Sequence, residues 1–316
     1  MRIVIAGGSG FLGRTLVDAL LADGHRVQVL TRKPGHPGAP GADRQFERLT
    51  WTPDGTPGPW APTCAGADVV VNLAGESIAA GRWTSARKAQ LRASRLLATR
   101  SLVRLVAEAE QPPATFISAS AIGFYGDRGG DTLAEDAGPG QDFLAKLVVA
   151  WEHDAMAVQG DRTRVVLLRT GIVLDPREGA LAKMLTPFQL FAGGPFGSGR
   201  QYMSWIHRDD WVSLVRWAID SPDVRGPLNL TAPHPITNAE FALALGRALH
   251  RPALLPVPSF VLKLMLGEMA DPLLLFSQRV MPARALAGGF RFAFETIDAA
   301  LENLLVQVRA GSGTQD

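Results

Sequence analysis

Hydrophobic positions along the chain fall into short unbroken runs separated by longer stretches with helical spacing. Arg2-Ile3-Val4-Ile5-Ala6, Arg26-Val27-Gln28-Val29-Leu30, Ala67-Asp68-Val69-Val70-Val71-Asn72, Thr115-Phe116-Ile117-Ser118-Ala119-Ser120 and Arg164-Val165-Val166-Leu167-Leu168-Arg169 are rich in β-branched residues. Runs of this length and composition read as strands covered on both faces, as in a parallel sheet. Helices are expected after the first run, from about Thr84 to Ala109, and from Asp142 to Val158. A short strand near Arg48-Leu49-Thr50-Trp51 interrupts a Pro- and Gly-rich connection over residues 34–67. Strand and helix alternate throughout residues 1–174, which predicts an α/β fold with a doubly wound parallel sheet.

Beyond residue 174 the pattern changes. A helix is expected over Gly179–Phe191, followed by the glycine-rich segment Gly193–Gln201, which reads as a mobile loop whose Arg200 and Gln201 could touch an anionic or polar substrate. Asp209 or Asp210 reads as the cap of a helix carrying Val212, Leu214, Val215 and Ile219. Leu228-Asn229-Leu230 gives one more strand, Thr237-Asn238 caps a helix ending near Leu249, and Ser259–Leu275 is an apolar helical region. The expected division is a first domain over 1–174, with 202–231 returning to it, and a smaller, mostly helical substrate domain over 175–201 and 232–310. Residues 311–316 read as a disordered tail.

Candidate chemistry is concentrated at the carboxyl ends of the strand runs. Gly7-Gly8-Ser9-Gly10-Phe11-Leu12-Gly13 stands between the first strand and the first helix, with Gly7, Gly10 and Gly13 in G-x-x-G-x-x-G spacing. Glycine there permits a sharp turn, lets backbone approach a pyrophosphate, and lets the helix pack closely on its strand, while the helix N-terminus attracts the phosphates. This makes the sheet Rossmann-like. The second strand ends in Thr31-Arg32-Lys33 rather than in the acidic residue that accepts from an adenosine ribose 2′-hydroxyl. An arginine there suits a 2′-phosphate, so NADP(H) is expected rather than NAD. Leu73, Ala74 and Gly75, at the small-residue end of the third buried run, would lie along the cofactor. Placing Leu91 at zero and stepping about 100° per residue sets Arg95, Ala98, Leu102 and Val106 within about 60° of it. Arg95 is therefore a charge on an apolar face, where it contacts the dinucleotide or reaches out from the edge of the stripe.

Composition narrows the remaining possibilities. The 316 residues are 47% hydrophobic with a net charge of +2 and scattered arginines, which suits a globular chain and gives no sign of nucleic-acid binding. A single cysteine, Cys64, excludes an internal disulfide, and the six histidines show no ligand spacing, so no metal is expected. There is no leader-like N-terminus, and the most apolar late stretch, Val261–Phe276, is broken by Lys263, Glu268 and Asp271, so a cytoplasmic protein without a membrane span is expected.

Taken in order, these segments resemble an atypical extended short-chain dehydrogenase/reductase of the NAD-dependent epimerase/dehydratase group, specifically the "epimerase family" oxidoreductases with a C-terminal domain of unknown function. The resemblance rests on the glycine turn, Asn72-Leu73-Ala74-Gly75-Glu76, Ser118 through Gly126, Arg169-Thr170-Gly171-Ile172-Val173-Leu174, Ser204-Trp205-Ile206-His207, Thr237-Asn238-Ala239-Glu240-Phe241 and Ser277-Gln278-Arg279-Val280-Met281-Pro282. It implies an NADP(H) site using Gly7, Gly10, Phe11, Leu12, Gly13, Thr31, Arg32, Leu73, Ala74, Gly75, Arg95 and Ile172. It also implies a small carbonyl or hydroxyl substrate and a monomer or homodimer. The superfamily's tyrosine, four residues before its lysine, is absent: Asp142 precedes Lys146, and the only tyrosines are Tyr125 and Tyr202. Lys146 keeps its place in the pattern and could hold the nicotinamide ribose. Ser120 falls where the superfamily places its carbonyl-binding serine, and Tyr125 is the nearest phenol in sequence, so Ser120, Tyr125 and Lys146 are the catalytic candidates. Asp142 and Lys146 could equally form an exposed ion pair. The missing tyrosine also admits a catalytically weak NADP(H)-binding sensor or regulator, and some members of the group carry names connected with cell division.

Overall fold

The computed structural model describes residues 1–32 and 45–311, with side chains as far as Val306. Its central sheet has seven strands: β1 (Arg2–Ala6), β2 (Arg26–Thr31), β3 (Phe46–Thr50), β4 (Val69–Asn72), β5 (Thr115–Ala121), β6 (Arg164–Thr170) and β7 (Gly226–Leu230). They lie in the order β7-β6-β5-β4-β1-β2-β3. Ile3 pairs with Val27 on one side and Val69 on the other, and every pair from β3 to β5 is parallel. The apolar runs explain this order: all four residues of β4 are buried, whereas Glu47, Arg48 and Thr50 of β3 are exposed, as an edge strand tolerates.

Contacts divide the chain into two compact units, the first comprising Met1–Ala121, Leu147–Arg169 and Val215–Leu228, and the second Ile122–Lys146, Thr170–Leu214 and Asn229–Asp316. The division differs from the expected one: residues 122–146 group with the second unit, and of 202–231 only Val215–Leu228 joins the first. In the first unit, helices α1 (Phe11–Ala22) and α2 (Ser85–Glu108) flank the sheet. Ala98, Leu102 and Val106 of α2 bury themselves against Val4, Val70, Phe116 and Leu167. Thr84 starts α2 by accepting the Arg87 N–H, and α3 (Phe143–Met156) follows β5. Burial pushes the thiol of Cys64, in the same core, up to about 12, which leaves it protonated and inert.

The second unit has its own core, built from α4 (Gly179–Gln189), α6 (Asn238–Leu249) and the C-terminal helix Ile297–Gly311, with Trp205, Phe241, Leu245, Leu301 and Leu304 buried together. Thr237 and Glu240 complete a reciprocal capping box on α6. The apolar region after Pro258 is α-helical as α7 (Ser259–Leu266) and continues as a 3₁₀ segment, Gly267–Met269, and a π-helical segment, Asp271–Leu275. The glycine-rich segment expected to be mobile is pinned: Gly197 and Val257 exchange backbone bonds with Val257 and Pro195, and Ala239 donates to Gly199. Gly311 closes the last helix, and the rest of the expected tail lies outside the described residues, as does most of the 34–67 connection before Gln45.

Asp209 and Asp210 lie in the first turn of α5 (Arg208–Asp220) instead of capping it. Asp210 accepts from the backbone N–H of Ala293 (2.8 Å) and Phe294 (2.9 Å), orphan donors that a buried carboxylate satisfies better than water-exposed helix N–H groups require. His207 is fully buried, stacked on Phe294 at 3.8 Å, and its Nδ1 accepts the Asp209 N–H. Burial, against the opposing pull of Asp209, holds His207 below the ordinary histidine value of 6.5. The unfolded chain then takes up this proton at a higher pH than the folded one, so the associated stability is complete above pH 6.5 and is lost as pH falls towards the folded value. The urea midpoint of the parent is expected to drop more between about pH 7.5 and about 5.5 than that of His207→Gln. Equal drops would refute the assignment.

Candidate functional site

The first unit builds a tight glycine turn at the end of β1. Gly7 turns the chain in the left-handed region (φ +83°), and a Cβ there would stand 2.6 Å from the Leu73 carbonyl carbon, so the β1 and β4 turns touch backbone to backbone. Gly10 opens α1 in an extended conformation, with no side-chain cap and no acidic residue in the first turn. The N–H groups leading Phe11 and Leu12 therefore begin a helix whose positive end no side chain neutralises, which is the arrangement that takes an anion. A Cβ on Gly13 would collide with the Gly7 carbonyl oxygen and lie 2.7 Å from the Gly8 Cα.

The turn after β4 is fixed from beneath. Buried Asn72 donates to Thr99 Oγ1 at 2.8 Å and accepts the Ala74 N–H at 3.1 Å. Thr99 Oγ1 also receives the Trp151 indole N–H (2.8 Å) and donates to the Arg95 carbonyl oxygen (2.8 Å). Above this network the Arg95 guanidinium lies over the Trp151 ring at 5.4 Å and donates to the carbonyl oxygens of Glu76 (2.9 Å) and Leu91 (3.2 Å). Gly75 leaves room for it, since a Cβ there would be 3.3 Å from Arg95 Cγ. Burial pushes the guanidinium down to about 10, and its partners are neutral carbonyls, while the Glu76 carboxylate pairs with Arg87 at 2.5 Å. Periodicity located Arg95; Thr99 and Trp151 gave no comparable signal. At the end of β2, Thr31 is half-buried and Arg32 exposed, and Lys33 lies outside the described residues.

The catalytic candidates are placed as follows. Ser120, 5% exposed, donates from Oγ to Glu152 Oε1 at 2.5 Å, and Arg169 grips both oxygens of that carboxylate at 2.8 and 2.9 Å. Tyr125 is fully buried and donates its phenol proton to Asn229 Oδ1 at 2.7 Å. Lys146 is exposed, and the ion pair with Asp142 is not found among the described residues. Asp142 Oδ1 accepts instead from the N–H groups of Leu144 (2.8 Å) and Ala145 (3.2 Å), because a short carboxylate at the start of α3 satisfies orphan helix donors beside it. Ile172 lies in a short strand, Ile172–Leu174, paired with Trp205–His207, and rests half-buried on the second unit's core.

A sheet of this order, with a glycine turn opening an uncapped helix, defines a Rossmann-type fold of the kind that binds dinucleotides. Residues 3–230 match the NAD dependent epimerase/dehydratase family, to which the chain belongs, and residues 257–304 match the Domain of unknown function (DUF1731). The chain is 40% identical to the Bos taurus epimerase family protein SDR39U1, over 96% of this chain and all of that one. It is 37% identical to the Bacillus subtilis epimerase family protein YfhF, over 96% and 98%. The crystal structure of human SDR39U1 (isoform 2) with NADPH matches with a TM-score of 0.85 at 37% identity, covering 96% of this chain and 99% of that one. Thermus thermophilus UDP-glucose 4-epimerase with NAD shares the fold alone, with a TM-score of 0.76 at 18% identity over 98% and 99%.

Proposed function

We propose that the chain binds NADP(H) and moves a hydride between its nicotinamide and a small carbonyl or hydroxyl substrate, as an oxidoreductase or an epimerase-like enzyme. The observation that carries this reading is the cradle of the first unit. An uncapped helix N-terminus held against the Leu73-Ala74 turn stands with Arg32 exposed at the end of the neighbouring strand. In this reading Gly7, Gly10, Phe11, Leu12 and Gly13 receive the pyrophosphate, Thr31 and Arg32 the 2′-phosphate, and Leu73, Ala74, Gly75 and Arg95 the body of the dinucleotide. The likeness to the NADPH-bound human protein supports the choice of dinucleotide. The cofactor supplies the hydride, and the protein must orient it and manage one proton. Ser120 is assigned to the substrate oxygen, with Tyr125 and Lys146, and Ile172 beside the cofactor, following the superfamily pattern.

A specific observation favours a second reading, that of a weakly catalytic NADP(H) sensor or regulator. The position of the usual tyrosine holds a helix cap, Asp142, and the hydroxyls of Ser120 and Tyr125 both stand in buried hydrogen bonds. Titration calorimetry with NADPH and NADH tests the binding step shared by both readings. The parent is expected to prefer NADPH, and Arg32→Asp to weaken NADPH alone by about ten- to a hundredfold, the worth of charged hydrogen bonds to one phosphate. Equal affinity for the two dinucleotides in the parent would defeat the assignment. Oxidation of NADPH by a panel of aldehydes and ketones, reduced on substitution of Ser120 by Ala, then separates enzyme from sensor.

A further inference from the structure

Elsewhere in this chain the arginines that leave the solvent place donors on acceptors, and even Arg87 and Arg251, whose Nε atoms are buried without a partner, bond through their terminal nitrogens. Arg164 donates to the carbonyl oxygens of Ala218, Ile219 and Val224, Arg169 grips Glu152, Arg208 pairs with Asp175 and Asp209, and Arg128 donates to Tyr125 and Gly138. Arg279 is different. It lies in the second unit, in the short strand Arg279–Val280 that pairs with Thr132–Leu133, and it is half-buried. Its Nε is buried with no hydrogen-bond partner, and its guanidinium makes no hydrogen bond or ion pair among the described residues. What it does touch is the ring of Tyr202, 5.0 Å below the guanidinium carbon. The Tyr202 phenol likewise makes no hydrogen bond among the described residues, although the residue is half-buried.

Both side chains stand on fixed backbone. The Tyr202 N–H donates to Ser277 Oγ at 3.0 Å, its carbonyl accepts the Gln278 N–H at 3.2 Å, and Tyr202 pairs antiparallel with Thr237. The Gln278 amide, next to Arg279, donates to the carbonyl oxygens of Ile122 and Gly126. A guanidinium that snorkels keeps its donors in water; one whose Nε is withdrawn from water without an acceptor carries an unmet cost. A carboxylate or phosphate oxygen pair meets that cost, since it matches the planar fork of arginine, and the adjacent phenol supplies one more donor to the same anion. The aromatic face beneath fixes the plane in which the fork is presented.

We propose that Tyr202 and Arg279 form an oxyanion-binding site on the second unit, which anchors a carboxylate or phosphate group of the substrate. The assignment of that anion to the substrate rests on the enzymatic reading above; the site itself does not. Gln201, expected from sequence to serve in this way, is buried and donates its amide to the carbonyl oxygens of Phe196 and Leu274, so the role falls to its neighbour.

The test is titration calorimetry on the full chain saturated with NADPH, so that the cradle in the first unit is filled, using pyrophosphate in one arm and succinate in the other. The parent is expected to bind one of the two, and the arm that responds identifies the anion class. Arg279→Met should weaken that binding by about ten- to a hundredfold, Arg279→Lys by less, and Tyr202→Phe by up to about tenfold, with NADPH affinity unchanged in all three. Binding of neither probe by the parent, or parental binding by Arg279→Met, overturns the proposal. If Arg279→Met loses NADPH binding as well, Arg279→Lys decides, and it must weaken the anion alone. Should the parent itself fail to bind NADPH, the enzymatic reading falls, while the same titrations on the free chain still report on this pair.

Discussion

Alanine at position 13 is expected to lower NADPH affinity by about a hundredfold, the worth of two charged hydrogen bonds from a displaced phosphate turn. The added methyl group meets backbone on both sides, at the Gly7 carbonyl oxygen and, at 2.7 Å, the Gly8 Cα, and no side chain is in a position to yield. The turn or the start of α1 must shift, and Gly7 cannot follow freely because its own Cα faces the Leu73 carbonyl. Overpacking of this kind costs on the order of 3 kcal/mol of stability. Urea unfolding of Gly13→Ala with and without NADPH checks both effects, and a parental midpoint with parental affinity would show that the close approach is not there.

The second large effect concerns the buried pair of Glu152 and Arg169. Replacing Glu152 by alanine removes the carboxylate that the Arg169 guanidinium, only 3% exposed, grips through two nitrogens, and frees the Ser120 hydroxyl. Stranding a buried charge costs about 3–5 kcal/mol, whereas replacing both partners with apolar groups is far milder. Glu152→Ala should therefore unfold at much lower urea than the parent, and the double variant Glu152→Leu with Arg169→Met should recover most of the difference. A loss under about 1 kcal/mol in the single variant would mean that water replaces the carboxylate and the pair is not closed off.

These two sites were unequally legible in the sequence. The glycine turn could be read directly because backbone conformation and close approach are local demands that only glycine meets. Arg95 could also be found, since a charge on the stripe of Leu91, Ala98 and Leu102 stands out against helical periodicity, and the cap at Thr237 follows from residue type and position. Glu152 could be placed on a helix but not beside Ser120, which is 32 positions away, and the bond from Tyr125 to Asn229 spans 104. Such pairs depend on how strands and helices are assembled, which no local pattern records. Asp142 shows the limit at short range: the same spacing serves a helix cap or an ion pair with Lys146, and only the side-chain geometry chose the cap. The compact units differ from the expected domains for a related reason, since hydrophobic runs reveal elements and not their grouping.

That grouping bears on how such a protein can be altered by recombination. Each unit is assembled from three separate stretches of chain, and α3, β6, α5 and β7 each begin in one unit and end in the other. No single cut therefore releases a whole unit: a fragment ending at Leu174 lacks Val215–Leu228 and with it part of the outer strand of the sheet. Exchange of the second unit between relatives requires three coordinated grafts, and every junction but the one after Ala121 falls inside a regular element. Change in this lineage is accordingly expected to proceed by substitution at positions such as Tyr202 and Arg279 rather than by shuffling of modules.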